Sequence, residues 1–130
     1  MHYGNGTDEI IAQLVVASWV DHFTAGEHYM ERRHAAKLLA YLPARIRAMR
    51  GCDVVLYQAG ADPHVDDPLG GMMTTAELRR RDELVFETLA ELGIPVVWNL
   101  AGGYQRANDG SIPAVLEIHE NTARAALAIR

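Results

Sequence analysis

The sequence has little of several features that would place it in a specialised class of proteins. It contains a single cysteine, Cys52, so no disulfide can form within the chain, which suits a reducing compartment. Its longest apolar run, residues 14–20, is far too short to cross a bilayer, and no signal-peptide pattern opens it. It has 12 Lys and Arg residues against 17 Asp and Glu residues, which argues against a phosphate-binding surface. We therefore expect a soluble, cytoplasmic protein that binds neither nucleic acid directly nor a membrane.

The helical patterns of the chain are clear after about residue 33. Apolar residues at helical spacing predict a helix over Arg33–Arg50, which Pro43 should kink or restart. Thr74 and Glu77 form a capping box that opens a second helix, and Gly93 ends it. The three arginines at 79–81 in this helix are expected on a solvated face.

A last helix is predicted to run to the C-terminus. Ser111 has the residue type and place of its N-cap, and Pro113 suits its first turn.

Short runs of β-forming residues alternate with these helices. Asp53–Gln58 and Ile94–Leu100 are typical of buried parallel strands, and residues 14–20 are a less clear third strand. Helices that alternate with such strands predict an α/β fold with a parallel sheet and helices on its faces. So small a sheet would have exposed edges, from which we expect self-association.

The loops that follow these strands contain the chemically active residue types. In open parallel sheets, ligands bind beyond the carboxyl ends of the strands, where Gly60–Gly70 and 101–104 would lie. Residues 2–7 would be a third such loop if a strand preceded them. Histidine, carboxylate and phenol groups together suit a catalytic zinc with an adjacent hydrogen-bond donor. Taken singly, the same residues also fit ordinary turns, so the residue types alone leave the chemistry open.

Three motifs, in this order, resemble the histone deacetylase family. Residues 1–7, Met-His-Tyr-Gly-Asn-Gly-Thr, match an Asp-x-His motif and its glycine turn without the Asp. Gly60–Gly70 matches the family's Gly-x-Asp-x-His-x-x-Asp-Pro-Leu-Gly loop position for position. Gly102, Gly103 and Tyr104 match its Gly-Gly-Tyr turn. The resemblance covers the whole chain and is strongest over 53–104.

The resemblance implies a role for each matched residue. His2 and Asp62 would be two of three Zn²⁺ ligands. Tyr104 would be the catalytic phenol that polarises the amide carbonyl. The expected substrate-binding residues are a tunnel-wall leucine and two turn glycines: Leu69, Gly102 and Gly103. His64, Asp66 and Asp67 would shape the loop, with Asp67 as a hydrogen-bonding anchor.

The resemblance also implies what the chain lacks. The third zinc ligand would stand two residues before His2, and the family's paired histidines would lie further upstream. We therefore expect residues 1–130 to be the C-terminal portion of a three-layer arginase/deacetylase fold whose N-terminal half is missing. Its parent would deacetylate acetyl-lysine or small acetylated amines, and the chain alone would be inactive. A non-catalytic binding or regulatory remnant, half of a split protein and an arginase-like manganese hydrolase are the alternatives.

Overall fold

The computed structural model describes residues 31–129, and this range alternates helices and strands. A 3-10 turn at Arg32–His34 leads into α1 (Ala35–Arg47), which is followed by β1 (Val55–Gly60), α2 (Thr75–Leu92), β2 (Val96–Ala101) and α3 (Pro113–Ala128). The mixed helix and strand content and the small sheet are compatible with the predicted α/β class. The turn and the strand predicted at 4–7 and 14–20 lie outside the described residues.

The two strands are parallel neighbours. Their register pairs Val55 with Val96 and ends with Gly60 beside Ala101. Both strands begin two residues later than predicted, and Pro95 gives a physical reason. Its carbonyl accepts a hydrogen bond from the Val55 amide at 2.9 Å, but proline has no N–H with which to extend the ladder.

Helix α1 continues through Pro43, so the expectation that the proline restarts the helix is wrong. The helix is also shorter at both ends than the predicted Arg33–Arg50. Leu38, Leu42 and Ile46 are buried along one side of it. Burial of this apolar stripe stabilises the helix against the loss of one backbone hydrogen bond at the proline.

The capping box of α2 is confirmed. The Thr74 hydroxyl accepts a hydrogen bond from the Glu77 amide, and the Glu77 carboxylate accepts one from the Thr74 amide at 2.8 Å. Gly93 ends the helix in the left-handed conformation with φ of 65°, as its position predicted.

Helix α3 begins one residue away from the prediction. Pro113 is in its first turn, as expected, but the N-cap is Ile112 and not Ser111. The Ser111 hydroxyl is instead bonded to the Asp109 carboxylate at 2.6 Å, so it does not cap the helix.

The core lies between the helices and one face of the sheet. Leu42 of α1 and Leu89 of α2 belong to an apolar cluster that includes Val55, Tyr57 and Val96. Leu56 and Val97, which alternate with these strand residues, are 78% and 60% exposed. The described helices thus cover one face of the sheet and leave the opposite face open.

The arginine run of α2 corrects one prediction. Arg79 and Arg80 are exposed and pair with Glu83, as expected of a solvated face. Arg81 is buried, and its guanidinium is bonded to the fully buried Asp82. None of the helices in the described range has both the length and the apolar character that a membrane crossing requires.

Candidate functional site

Two loops meet at the carboxyl end of the sheet. The first follows β1 and leads to α2, and the second follows β2 and leads to α3. Because the strands are parallel neighbours, both loops leave the sheet at the same edge. The Ala61 amide donates to the Ala101 carbonyl at 2.9 Å, which extends the pairing by one residue into the loops.

Asp62 and Gly102 are in close contact across these two loops. Gly102 has a φ of 58°, and a Cβ built on it would lie 1.9 Å from Asp62 Oδ1. Only glycine leaves room for this carboxylate. The Asp62 side chain is partly exposed, and no donor among the described residues is hydrogen-bonded to it. Its oxygens are therefore available to a ligand as far as these residues are concerned.

Gly103 lies close to helix α3. It has a φ of 95°, and a Cβ there would lie 2.5 Å from a methyl group of Val115 on α3. The family resemblance implied a substrate-binding role for both glycines, and this stays a prediction. In the structure they bring the second loop against Asp62 and α3, so they shape the site from within the protein.

Asp67 ties the two loops together. One of its carboxylate oxygens accepts the Leu69 amide at 2.9 Å, and the other accepts the amides of Tyr104 at 2.6 Å and Gln105 at 3.3 Å. Its side chain is buried at the same time. A buried carboxylate bonded to three backbone amides is a strong anchor, because hydrogen bonds to charged groups exceed neutral ones in strength. Asp67 thus has the anchoring geometry expected of it.

Leu69 and Tyr104 lie at the surface of this loop cluster. They are 70% and 54% exposed, although both have backbone amides bound to Asp67. Their backbones are therefore fixed while their side chains remain accessible. This combination is suited to contact with a ligand.

His64 is part of the loop's internal structure. Its Nδ1 accepts a hydrogen bond from the Asp66 amide at 3.1 Å, and its Nε2 is hydrogen-bonded to the Thr75 hydroxyl at 3.0 Å. Both ring nitrogens are engaged. His64 is thus unsuited to bind a metal in this conformation, and it stands two residues after Asp62, where an arginase-like second ion would need an acidic ligand.

The described residues fit part of a zinc site. Asp62 supplies a partly exposed carboxylate in a space that Gly102 keeps open. Within residues 31–129, no three His, Cys, Asp or Glu side chains are grouped closely enough to hold a metal ion. A catalytic zinc needs about three protein ligands, so Asp62 would require partners from outside this range. His2, the other predicted ligand, lies outside it.

A buried polar network next to these loops was not foreseen from the sequence. It joins Tyr57, Arg81, Asp82 and Thr122. Helical spacing offered one signal, because residues 81 and 82 fall between Leu78 and Val85 on the buried side of α2. A charged pair at a position where apolar residues are expected indicates buried, paired charges.

Comparison with known proteins identifies the family of the chain. The family model for the histone deacetylase domain matches residues 24–118, which is well over half of the chain. The chain is also 46% identical over 55 residues to an uncharacterized protein from Picosynechococcus sp.. That alignment covers 42% of this chain and 18% of the relative, so the similar stretch spans less than a fifth of the relative's length. The match over most of the sequence, including both loops, shows that the chain belongs to the histone deacetylase family.

Proposed function

We propose that this chain forms part of a zinc-dependent amidohydrolase of the arginase/deacetylase fold that removes acetyl groups from acetyl-lysine or from small acetylated amines. The observation that carries the proposal is the junction of the loops after β1 and β2. There Asp62, Gly102 and Tyr104 are brought together, with Asp67 as the tie. The family model, which spans both loops, supports a deacetylase-type hydrolase.

In this proposal Asp62 and His2 bind the metal. Bound zinc would polarise the amide carbonyl and lower the pKa of a water molecule, which supplies the nucleophile at neutral pH. Asp62 would contribute a carboxylate whose position is fixed by its contact with Gly102. At least one further ligand and a proton acceptor must be supplied from elsewhere.

Tyr104 would have a different role from the metal ligands. Its phenol would donate a hydrogen bond to the oxygen of the carbonyl as negative charge develops there. Removing one such donor costs roughly two to three orders of magnitude in rate in other amide hydrolases. The bond from the Tyr104 amide to Asp67 fixes the backbone from which the phenol extends. Leu69, on the same anchor, would offer an apolar wall to the acyl-lysine chain.

The test compares zinc content and deacetylation of an acetyl-lysine peptide between this chain and a form extended upstream. We expect turnover in the extended form alone, with loss of zinc in Asp62→Asn and a rate loss of about 100-fold or more in Tyr104→Phe with zinc retained. Zinc binding without turnover in both forms would favour a non-catalytic binding role. Full turnover in the 130-residue chain would contradict the need for further residues.

A further inference from the structure

The buried ion pair on α2 needs a physical explanation. Asp82 is fully buried, and Arg81 Nε donates to its Oδ1 at 2.8 Å. Buried ion pairs are often no more stabilising than apolar residues of the same volume, because both charges lose their hydration. The other contacts of Arg81 and Asp82 are therefore more informative about their role than the attraction between the two charges.

Asp82 is fixed from three elements. Besides Arg81 on its own helix, it accepts a hydrogen bond from the Tyr57 hydroxyl of β1. Its second oxygen accepts the Thr122 hydroxyl of α3 at 2.6 Å. Burial raises the pKa of Tyr57 well above its ordinary value, and Asp82 adds to this against the opposing effect of Arg81, so the phenol stays a donor. The carboxylate thus sets the orientation of the guanidinium.

The guanidinium makes its other contact at the end of β1. Arg81 Nη1 donates to the Gly60 carbonyl at 2.7 Å, two residues before Asp62. The following amide, of Ala61, is bonded to Ala101 on the opposite side. The chain is therefore held by two neighbouring hydrogen bonds just before it reaches Asp62.

Gly60 also lies near the Asp62 carboxylate. A Cβ built on Gly60 would lie 3.0 Å from Asp62 Oδ1, and Gly102 closes on the same oxygen from β2. Asp62 Oδ1 therefore lies close to both backbones. A shift of Gly60 would accordingly move the carboxylate.

We propose that Arg81 is a positioning residue for Asp62, which it holds through the Gly60 carbonyl while Asp82 orients its guanidinium. That Asp62 is held for zinc rests on the function proposed above. Arg81 touches neither metal nor substrate in this proposal. Its effect passes through the backbone at the end of β1.

Hydrogen exchange of the full chain, followed by NMR, tests the positioning without metal. Arg81→Lys keeps the charge but has one nitrogen, whereas the two contacts of Arg81 use separate nitrogens of a planar group. Thr122→Val is the matched control, because it removes a donor to Asp82 and leaves the bond to Gly60. The Val55 amide, at the opposite end of the same ladder, is the internal reference.

We expect Arg81→Lys to speed exchange of the Ala61 amide about tenfold relative to Val55, and Thr122→Val to change this ratio by less than about twofold. Equal ratios in the two variants would overturn the proposal. The wild-type chain gives a test that does not depend on folding of a variant. Its Ala61 amide should exchange no faster than Val55, and faster exchange would show that the end of β1 is not held.

Zinc affinity of the form extended upstream, measured by competition with a chromophoric chelator, separates this inference from the proposed function. We expect Arg81→Lys to weaken zinc binding about tenfold, as is usual for residues that hold a ligand in place, with Thr122→Val close to wild type. Equal affinity of Arg81→Lys and wild type would overturn the link from Arg81 to metal binding. If Arg81→Lys shows the exchange difference but the wild-type form extended upstream binds no zinc, the metal role of Asp62 is refuted and its positioning by Arg81 is intact.

Discussion

At the scale of single residues, Asp67 holds the two loops of the site together, although its place in a turn-forming sequence suggests only a turn. Asparagine at this position would keep one acceptor oxygen and turn an NH₂ group toward backbone amides that now face Oδ1 or Oδ2. We expect Asp67→Asn to lower the free energy of unfolding by about 2–3 kcal/mol, measured by urea denaturation.

The neighbouring Asp66 offers a matched control for this substitution. Its side chain is exposed, and its bond to His64 uses the backbone amide, which Asp66→Asn retains. We expect this variant to stay within about 0.5 kcal/mol of wild type. Similar losses in the two variants would mean that Asp67 is not an anchor.

A second prediction at this scale concerns Gly102. Gly102→Ala would place a methyl group on the Asp62 carboxylate and would also strain a backbone with positive φ. Gly110→Ala shares the positive φ, at 83°, but its Cβ would meet open space. We expect Gly110→Ala to cost about 1–2 kcal/mol and Gly102→Ala about 2 kcal/mol more, measured by urea denaturation. Equal costs would contradict the close contact between Gly102 and Asp62.

At the scale of elements, the capping box of α2 links stability to pH. Burial raises the pKa of Glu77. Hydrogen bonds from the Thr74 amide and hydroxyl, together with Arg32, lower this pKa by a larger amount, so the net shift is downward. A carboxyl group with a lowered pKa stabilises the folded state above its unfolded pKa of about 4.3, and this contribution is lost as the pH falls through the folded-state pKa.

Thr74→Ala removes the hydroxyl from this box. We expect a loss of about 1 kcal/mol at pH 7 and, as the pH falls below the unfolded pKa of about 4.3, a smaller further loss of stability than in wild type, measured by thermal unfolding at each pH. Thr74→Ser keeps the hydroxyl and should follow the wild-type curve. Identical pH profiles for the alanine variant and wild type would rule out a role for the box in this pH dependence.

Local signals explain which elements could be predicted from the sequence. The start and end of α2 follow from Thr74, Glu77 and Gly93, whose effects act within one helical turn. Pro113 likewise gave the first turn of α3. The Ser111 prediction failed because a competing local partner, Asp109, binds the same hydroxyl.

Features that depend on tertiary contacts were harder to predict. Pro43 lies within α1 because burial of the helix outweighs its propensity to break one. Spacing within α2 puts Arg81 on the buried side, but it does not reveal the partners from β1 and α3 that meet at Asp82. For the site, sequence motifs gave the residues of the loops, but the contact of Asp62 with Gly102 required the register of two distant strands.

At the scale of the whole molecule, the elements of residues 31–129 cover one face of the sheet and leave the other open. Parallel sheets are as a rule buried on both faces. Here Leu56 and Val97 pair across the strands and are exposed on the face opposite the helices. A second copy of the chain would offer the same apolar face, so two such faces are chemically complementary.

We therefore predict that the chain self-associates through this face of the sheet. Sedimentation velocity should show species larger than a monomer whose fraction rises with concentration. Leu56→Lys should shift the population toward the monomer, because burying its ammonium group in an apolar interface without a partner is costly. Leu127→Lys is the control, since Leu127 is equally exposed but lies on α3, away from the sheet. A compact monomer at all concentrations, or an equal effect of both lysines, would show that this face does not mediate association.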